Sequence, residues 1–183
     1  MKKTLFIIFG RSCTGKTETV RAIMKKYHDQ VKLIVTTTTR TMRPGEVDGV
    51  SYHFTDKASF ERLISEDKLA EYVQQYGGSY YGTTKDEFDT SKVNIAVVDP
   101  IGMAKIKEVM SDKFRVVVIK MDENDRTLIE RFNKRGDPAE VVNKRVYEDK
   151  HKYTEVPFDY MINAKANVLE FIMLEESDLI EKE

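Results

Sequence analysis

The chain has little of what would tie it to an oxidising compartment, a metal cluster or a membrane. A single cysteine, Cys13, among 183 residues excludes an internal disulfide and fits a reducing compartment. His28, His53 and His151 are scattered, far from one another and from Cys13, which argues against a zinc site. No apolar run is long enough to span a bilayer. Met1-Lys2-Lys3 and the apolar residues after it mimic a secretion signal, but that run is short and leads into a glycine loop, not a small-residue cleavage site. The formal net charge of −1 gives no global attraction to nucleic acid or membrane, so any anion site must be a local cluster of Arg and Lys. No repeat, low-complexity tract or Pro/Gly linker divides the chain. These absences point to a cytoplasmic protein whose partners are small molecules, with neither a nucleic-acid nor a membrane partner.

What is present is a globular composition, 40% apolar and 33% charged, and enough chain for one compact domain with a core of its own. Five β-rich runs, at 4–9, 32–38, 93–98, 114–120 and 158–162, alternate with helical patterns near 15–27, 56–66, 101–111, 124–134, 139–153 and 166–176. The runs Val93-Asn94-Ile95-Ala96-Val97-Val98 and Val116-Val117-Val118-Ile119 are almost continuously apolar, which suits parallel strands covered on both faces. The expected fold is α/β, a parallel sheet with right-handed crossovers and helices on both faces. Ligands of such sheets bind beyond the carboxyl ends of the strands. Residues 36–90 break the alternation with Thr, Gly and Tyr clusters and short strand-like pieces such as Ser51-Tyr52-His53-Phe54. They are expected to form an inserted, smaller mixed unit, in which Asp56 caps a helix carrying Phe60, Leu63 and Ile64 on its inner face.

The most specific local signal is Gly10-Arg11-Ser12-Cys13-Thr14-Gly15-Lys16-Thr17, which fits G-x-x-x-x-G-K-[ST]. The apolar run Thr4-Leu5-Phe6-Ile7-Ile8-Phe9 precedes it, and Val20, Ile23, Met24 and Tyr27 follow at the spacing of one helix face. A strand feeding a glycine loop that opens a helix is the context a phosphate-binding loop needs. Backbone N–H groups curl around phosphate, the helix N-terminus adds positive dipole, Lys16 reaches the terminal phosphates, and the Thr17 hydroxyl can hold Mg²⁺. Cys13 stands where a small residue fits; a thiol beside a helix N-terminus could also have a lowered pKa.

Three further clusters each allow two readings. Arg40 and Arg43, in a loop pinned by Pro44-Gly45, make either a bidentate clamp for a second phosphate or a solvated basic turn. Gly77-Gly78-Ser79-Tyr80-Tyr81-Gly82-Thr83 brings hydroxyls close to a ligand or is an ordinary turn. Arg126, Arg131, Lys134, Arg135, Lys144 and Arg145 flank Gly136-Asp137-Pro138, as solvated helix faces or as a mobile lid over phosphates. Glu71 alone reads as a surface residue, although a carboxylate accepts two adjacent donors, such as the N–H and NH₂ that guanine presents.

Taken together and in order, these motifs resemble guanylate kinase. The phosphate loop, the block Thr-Thr-Arg-x-x-Arg-Pro-Gly-Glu-Val-Asp-Gly-x-x-Tyr-His-Phe at 38–54, Tyr-Tyr-Gly-Thr at 80–83, Arg-x-x-x-Arg-Gly at 131–136 and Phe-Asp-Tyr-Met-Ile-Asn at 158–163 span nearly the whole chain. The resemblance implies one domain: a core of 1–35, 91–123 and 154–183, a GMP-binding insertion at 36–90 and a lid at 124–153. It implies a Mg²⁺-dependent transfer of the ATP γ-phosphoryl group to GMP. Gly10, Arg11, Ser12, Cys13, Thr14, Gly15, Lys16 and Thr17 would bind the ATP phosphates, with Asn163 near adenine. Arg40, Arg43, Tyr52 and Tyr81 would hold the GMP phosphate, and Thr36, Glu71 and Thr83 would read guanine. Asp99 would lie near GMP and, with Thr17, the metal. Lys16, Arg131, Arg135 and Arg145 would serve the transferring group.

The chain also departs from the family pattern. Where the family usually shows acidic-x-Asp-x-Gln-Gly, this chain reads Val97-Val98-Asp99-Pro100-Ile101-Gly102, so only Asp99 remains. Thr36 replaces a serine and keeps the hydroxyl. The stretch from Glu71 to Tyr81 is one residue longer than usual, and that from Thr83 to Asp99 is shorter, trimming a helix. The intact Gly15-Lys16-Thr17 favours an enzyme, whereas Val97 and Ile101 lean toward a guanylate-kinase-like interaction domain without activity; a kinase of the same fold for another phosphorylated acceptor is a third reading, which would need other roles for the guanine-reading residues.

Overall fold

A computed structural model describes residues 2–74 and 77–177, and it places the β-rich runs in two separate sheets. The larger is built from β1 (Thr4–Gly10), β2 (Val31–Leu33), β7 (Val93–Val97), β8 (Arg115–Met121) and β9 (Tyr160–Ile162), in the order β2-β7-β1-β8-β9. Every pairing in it is parallel. The smaller contains β3 (Thr37–Thr38), β4 (His53–Phe54), β5 (Leu69–Gln74) and β6 (Tyr80–Thr84), in the order β4-β3-β6-β5. There β3 runs parallel to β4 and antiparallel to β6, and β5 pairs antiparallel with β6. The fold is thus α/β, a parallel sheet flanked by helices with a mixed sheet inserted between β2 and β7.

The central strand shows why. All seven residues of β1 are buried, and its side chains alternate between two cores. Phe6 and Ile8 join Val20 and Ile23 of α1 (Lys16–Tyr27) and Leu169, Ile172 and Met173 of α6 (Ala166–Glu176). Leu5, Ile7 and Phe9 face the other way, toward Met103, Ile106 and Met110 of α3 (Pro100–Met110). A sheet covered on both faces needs largely apolar strands, as Leu5 to Phe9 of β1 and Val116 to Ile119 of β8 are.

The run at 32–38 does not form one strand. Ile34 still donates its N–H to the Ile95 carbonyl of the large sheet (2.8 Å), but by Thr36 the chain accepts from His53 N (3.0 Å) in the smaller one. The composition dictates an extended backbone, and the chain divides it between two sheets. In the smaller unit, α2 (Lys57–Ser65) is capped by Asp56, whose Oδ1 accepts from Ser59 N at 2.8 Å, and it buries Phe60 against the Tyr80 ring. Between β6 and β7 the only helical element is a single 3₁₀ turn, Lys85–Glu87. Gln75 and Tyr76, within the stretch that runs one residue long, and the 178–183 end lie outside the described residues. Two further helices, α4 (Asp125–Arg135) and α5 (Ala139–Tyr153), follow β8. No helix among the described residues is long and apolar enough to cross a membrane.

Candidate functional site

The loop from Gly10 to Gly15 leaves the carboxyl end of β1, as expected of a ligand site on a parallel sheet. Two of its glycines are required. A Cβ on Gly10 would sit 1.9 Å from the Met121 carbonyl oxygen, and Gly15, at φ +92°, would put one 2.7 Å from the Ala164 Cβ. Cys13 adopts φ +62°, and burial pushes its thiol pKa up, against the lowering a helix N-terminus would bring. Thr14 is buried, and its hydroxyl donates to the Arg11 carbonyl at 2.8 Å. Lys16 Nζ donates to the carbonyls of Gly10 and Arg11, both at 2.7 Å. Burial lowers its pKa to about 8, opposed chiefly by the charge of Asp149.

Lys16 is where two cavities meet. The first, of about 590 Å³, is lined by Cys13, Gly15, Lys16 and Thr17 on one side and by Arg131, Arg135 and Ala164 on the other. Arg131 Nη1 donates to the Cys13 carbonyl at 3.0 Å, and Arg135 is held by Asp137, with Nε 2.5 Å from Oδ2. Asn163 is exposed, next to Ala164. The second cavity, of about 300 Å³, is lined by Gly10, Ser12 and Lys16, by Thr36, Tyr52, Glu71 and Tyr81 of the smaller unit, and by Asp99 and Tyr153.

Inside the second cavity the polar groups are held in place. Glu71 is 6% exposed, and its Oε1 accepts from the hydroxyl of fully buried Thr83 at 2.8 Å. Burial raises the Glu71 pKa, with the charge of Asp99 adding to the effect and Thr83 opposing it. A Cβ on Gly102 would lie 3.2 Å from Glu71 Oε2, so the glycine admits the carboxylate beside the first turn of α3. Tyr52 and Tyr81 pack edge to face, with centroids 6.0 Å apart. Arg40 stacks over the Tyr52 ring at 5.3 Å and pairs with Glu46 at 2.7 Å. Glu46 also accepts from Arg43 N at 2.7 Å, while Arg43 itself is exposed. Asp99 caps α3, its Oδ1 accepting from Gly102 N at 2.8 Å, and its Oδ2 lies 3.1 Å from Lys152 Nζ.

The structure therefore brings Lys16, Thr17, Arg131 and Arg135 to one cavity, and Thr36, Tyr52, Glu71, Tyr81 and Asp99 to the other. Thr83 lies behind Glu71. Arg40, Arg43 and Arg145 line neither, and Arg145 is exposed on α5. The Arg11 side chain is a strut: 6% exposed, it bonds Asp122 at 2.8 Å and Asp125 at 2.5 Å and also donates to the Glu123 carbonyl. Only its main chain is left to the loop. Two residues at the site carried no sequence signal: Tyr153 stacks on Phe9 in the wall of the second cavity, and Asp149 touches the loop. Glu46 lies in the 38–54 block, where the resemblance gives it no role; it fixes Arg40. Among the described residues no group of three or more His, Cys, Asp or Glu side chains is placed to hold a metal ion.

Comparison with known proteins gives the family and the fold. The model of the family described as Guanylate kinase matches residues 2–183. A guanylate kinase of Psychrobacter arcticus is 33% identical over 168 residues, covering 88% of this chain and 79% of its own length. One from Vibrio parahaemolyticus is 35% identical over 170 residues, covering 88% and 80%. One from Clostridium perfringens is 31% identical over 187 residues, covering 97% and 86%. The crystal structure of guanylate kinase from Anaplasma phagocytophilum is similar in fold, with a TM-score of 0.66 at 20% identity over 97% of this chain and 88% of that one.

Proposed function

Because the chain belongs to the guanylate kinase family, we propose that it transfers the γ-phosphoryl group of ATP to GMP, giving ADP and GDP. The observation that carries this reading is the meeting of the two cavities at Lys16. One is walled by the phosphate loop and two arginines, the other by a buried carboxylate and paired tyrosines. ATP would lie in the first, its phosphates on the loop N–H groups. GMP would lie in the second, with guanine against Glu71 and Thr36, Thr83 holding Glu71 from behind, and its phosphate near Tyr52 and Tyr81, with Arg40 stacked on Tyr52 outside the wall. The acceptor is already an anion, so the reaction needs no strong general base. Catalysis is in-line positioning and charge neutralisation by Lys16, Arg131 and Arg135, with Arg145 brought in when α5 closes.

The donor set suits Mg²⁺, a hard ion that keeps water and substrate phosphates as most of its ligands and asks little of the protein. Thr17, exposed in the first turn of α1, and Asp99 are the residues that would hold it. When bound, the ion supplies positive charge against the phosphate oxygens.

The test is ADP release from Mg-ATP with GMP, dGMP, AMP, UMP or dTMP as acceptor, beside a Lys16→Ala control. GMP-dependent turnover that the control loses supports the proposal. Turnover with another acceptor would indicate a kinase of different specificity. None with any acceptor, from folded protein, would favour an interaction domain, the reading to which Val97 and Ile101 lean.

A further inference from the structure

One contact at the site belongs to none of the roles above. The main-chain N–H of Ser12, inside the phosphate loop, donates to Asp149 Oδ2 at 2.7 Å. Asp149 comes from α5, 137 residues further along the chain. Loop N–H groups of this kind are what phosphate oxygens bind, and a carboxylate is the side chain closest to phosphate in charge and acceptor geometry. The last turns of α5 orient the carboxylate toward the loop through one buried anchor and two solvated lysine pairs. Lys150 pairs with Asp125 at 3.1 Å, Lys152 pairs with Asp99 at 3.1 Å, and the Tyr153 carbonyl accepts from Lys120 at 2.9 Å.

We propose that Asp149 is an internal anion that competes with nucleotide phosphate for the loop and so sets its affinity. One N–H cannot give a full hydrogen bond to two acceptors, and two anions beside the same loop repel each other. Phosphate entry at Ser12 therefore displaces Asp149. The carboxylate also serves as counter-charge to Lys16 until phosphate takes that place. Arg145 lies four residues before Asp149, on the same face of α5, so the face that holds the loop closed to anions also carries a cation suited to them. The proposal rests on the reading that this loop takes nucleotide phosphates.

The experiment is equilibrium binding of ATP in EDTA, which removes metal bridging as a cause, to the wild-type protein, Asp149→Asn and Asp149→Ala. About pH 6.5 is chosen to lie well below the Lys16 pKa of about 8, leaving margin for the loss of the Asp149 charge that raises it. Asn keeps the shape and an acceptor for Ser12 without the charge; Ala removes both. Both variants should bind ATP roughly three- to thirtyfold more tightly, the range of a charge-assisted hydrogen bond at a partly exposed site. A purely structural role for Asp149 would instead weaken binding. Unchanged or weaker binding by both variants, with melting curves showing folded protein, overturns the proposal and leaves the kinase reading standing. If no form binds ATP, the wild type included, both fall together.

Discussion

Replacing Glu71 by Gln changes one oxygen to an NH₂ group, keeps the shape, and separates what this residue does for binding from what it costs the fold. The carboxylate is 6% exposed, with one oxygen taken by the Thr83 hydroxyl at 2.8 Å. Burial raises its pKa. An acid whose folded pKa is raised leaves stability intact below its unfolded value, near 4.5, and erodes it as pH rises through the folded value. At pH 7 the wild type bears that cost and the Gln variant does not. The variant should therefore melt higher than wild type at pH 7, with the difference closing toward about pH 4. Selectivity should move the other way. Guanine offers two adjacent donors, and Gln meets them with one acceptor and one donor of its own. Losing one hydrogen bond to a charged group in a buried site costs about 1.5–3 kcal/mol. The ratio of kcat/KM for GMP over AMP should then fall roughly ten- to a hundredfold. The assays are ADP release with each acceptor and thermal melts at the two pH values. A folded variant that keeps its GMP preference, and melts lower than wild type at pH 7, would show that Glu71 only braces Thr83.

Three other outcomes follow from the loop. Lys16→Ala should lose mainly kcat, since the ammonium serves the charge that builds in transfer; an unchanged kcat rules that role out. With its pKa lowered to about 8 by burial, Lys16 is largely neutral at pH 8.5 in the free protein, and phosphate calls its proton back. ATP binding at that pH should take up protons, seen as a binding enthalpy that changes with the ionisation enthalpy of the buffer. No buffer dependence, with binding intact, would refute this. Gly10→Ala should destabilise by about 3 kcal/mol or more in denaturant titrations, because its Cβ would meet the Met121 carbonyl oxygen at 1.9 Å. A loss under about 1 kcal/mol would mean that β1 and β8 separate more readily than their burial suggests.

The parts legible in the amino-acid order are those whose requirements are contiguous. A buried strand, a glycine loop and an amphipathic helix follow one another as the phosphate site needs, so Gly10 to Thr17 are recognisable from their neighbours alone. Tyr52 and Tyr81 are legible through the ordered motifs, Thr36 and Glu71 only through the family resemblance those motifs carry, and the fold gathers all four in one cavity. Choices of partner across the chain are not legible. Any of 31 acidic residues could pair with a given base, and nothing local selects Asp122 and Asp125 for Arg11 or Lys152 for Asp99. Ser12 and Asp149 are a further such pair. The run at 32–38 shows a related limit, since β-propensity specifies an extended chain and not the sheet it joins.

Several of these distant pairings converge on α5. Asp149 reaches Ser12 beyond the end of β1, Lys150 reaches Asp125 beyond β8, and Lys152 reaches Asp99 beyond β7. One helix thus touches the carboxyl ends of the three central strands, where a parallel sheet binds its ligands. The two lysine pairs are solvated, with side-chain exposures of 62% and 42% for Lys150–Asp125 and 43% and 23% for Lys152–Asp99. Exposed pairs of this kind are worth about 0–1 kcal/mol each. The end of the helix is held differently. Lys120, 7% exposed, donates to the Tyr153 carbonyl, and the Tyr153 ring stacks on fully buried Phe9. An anion arriving at Ser12 therefore opposes a charge-assisted hydrogen bond and two weak ion pairs, against an anchor at Tyr153 that it does not touch. The contacts that phosphate must displace are thus the weak ones, and the buried one lies at the far end of the helix.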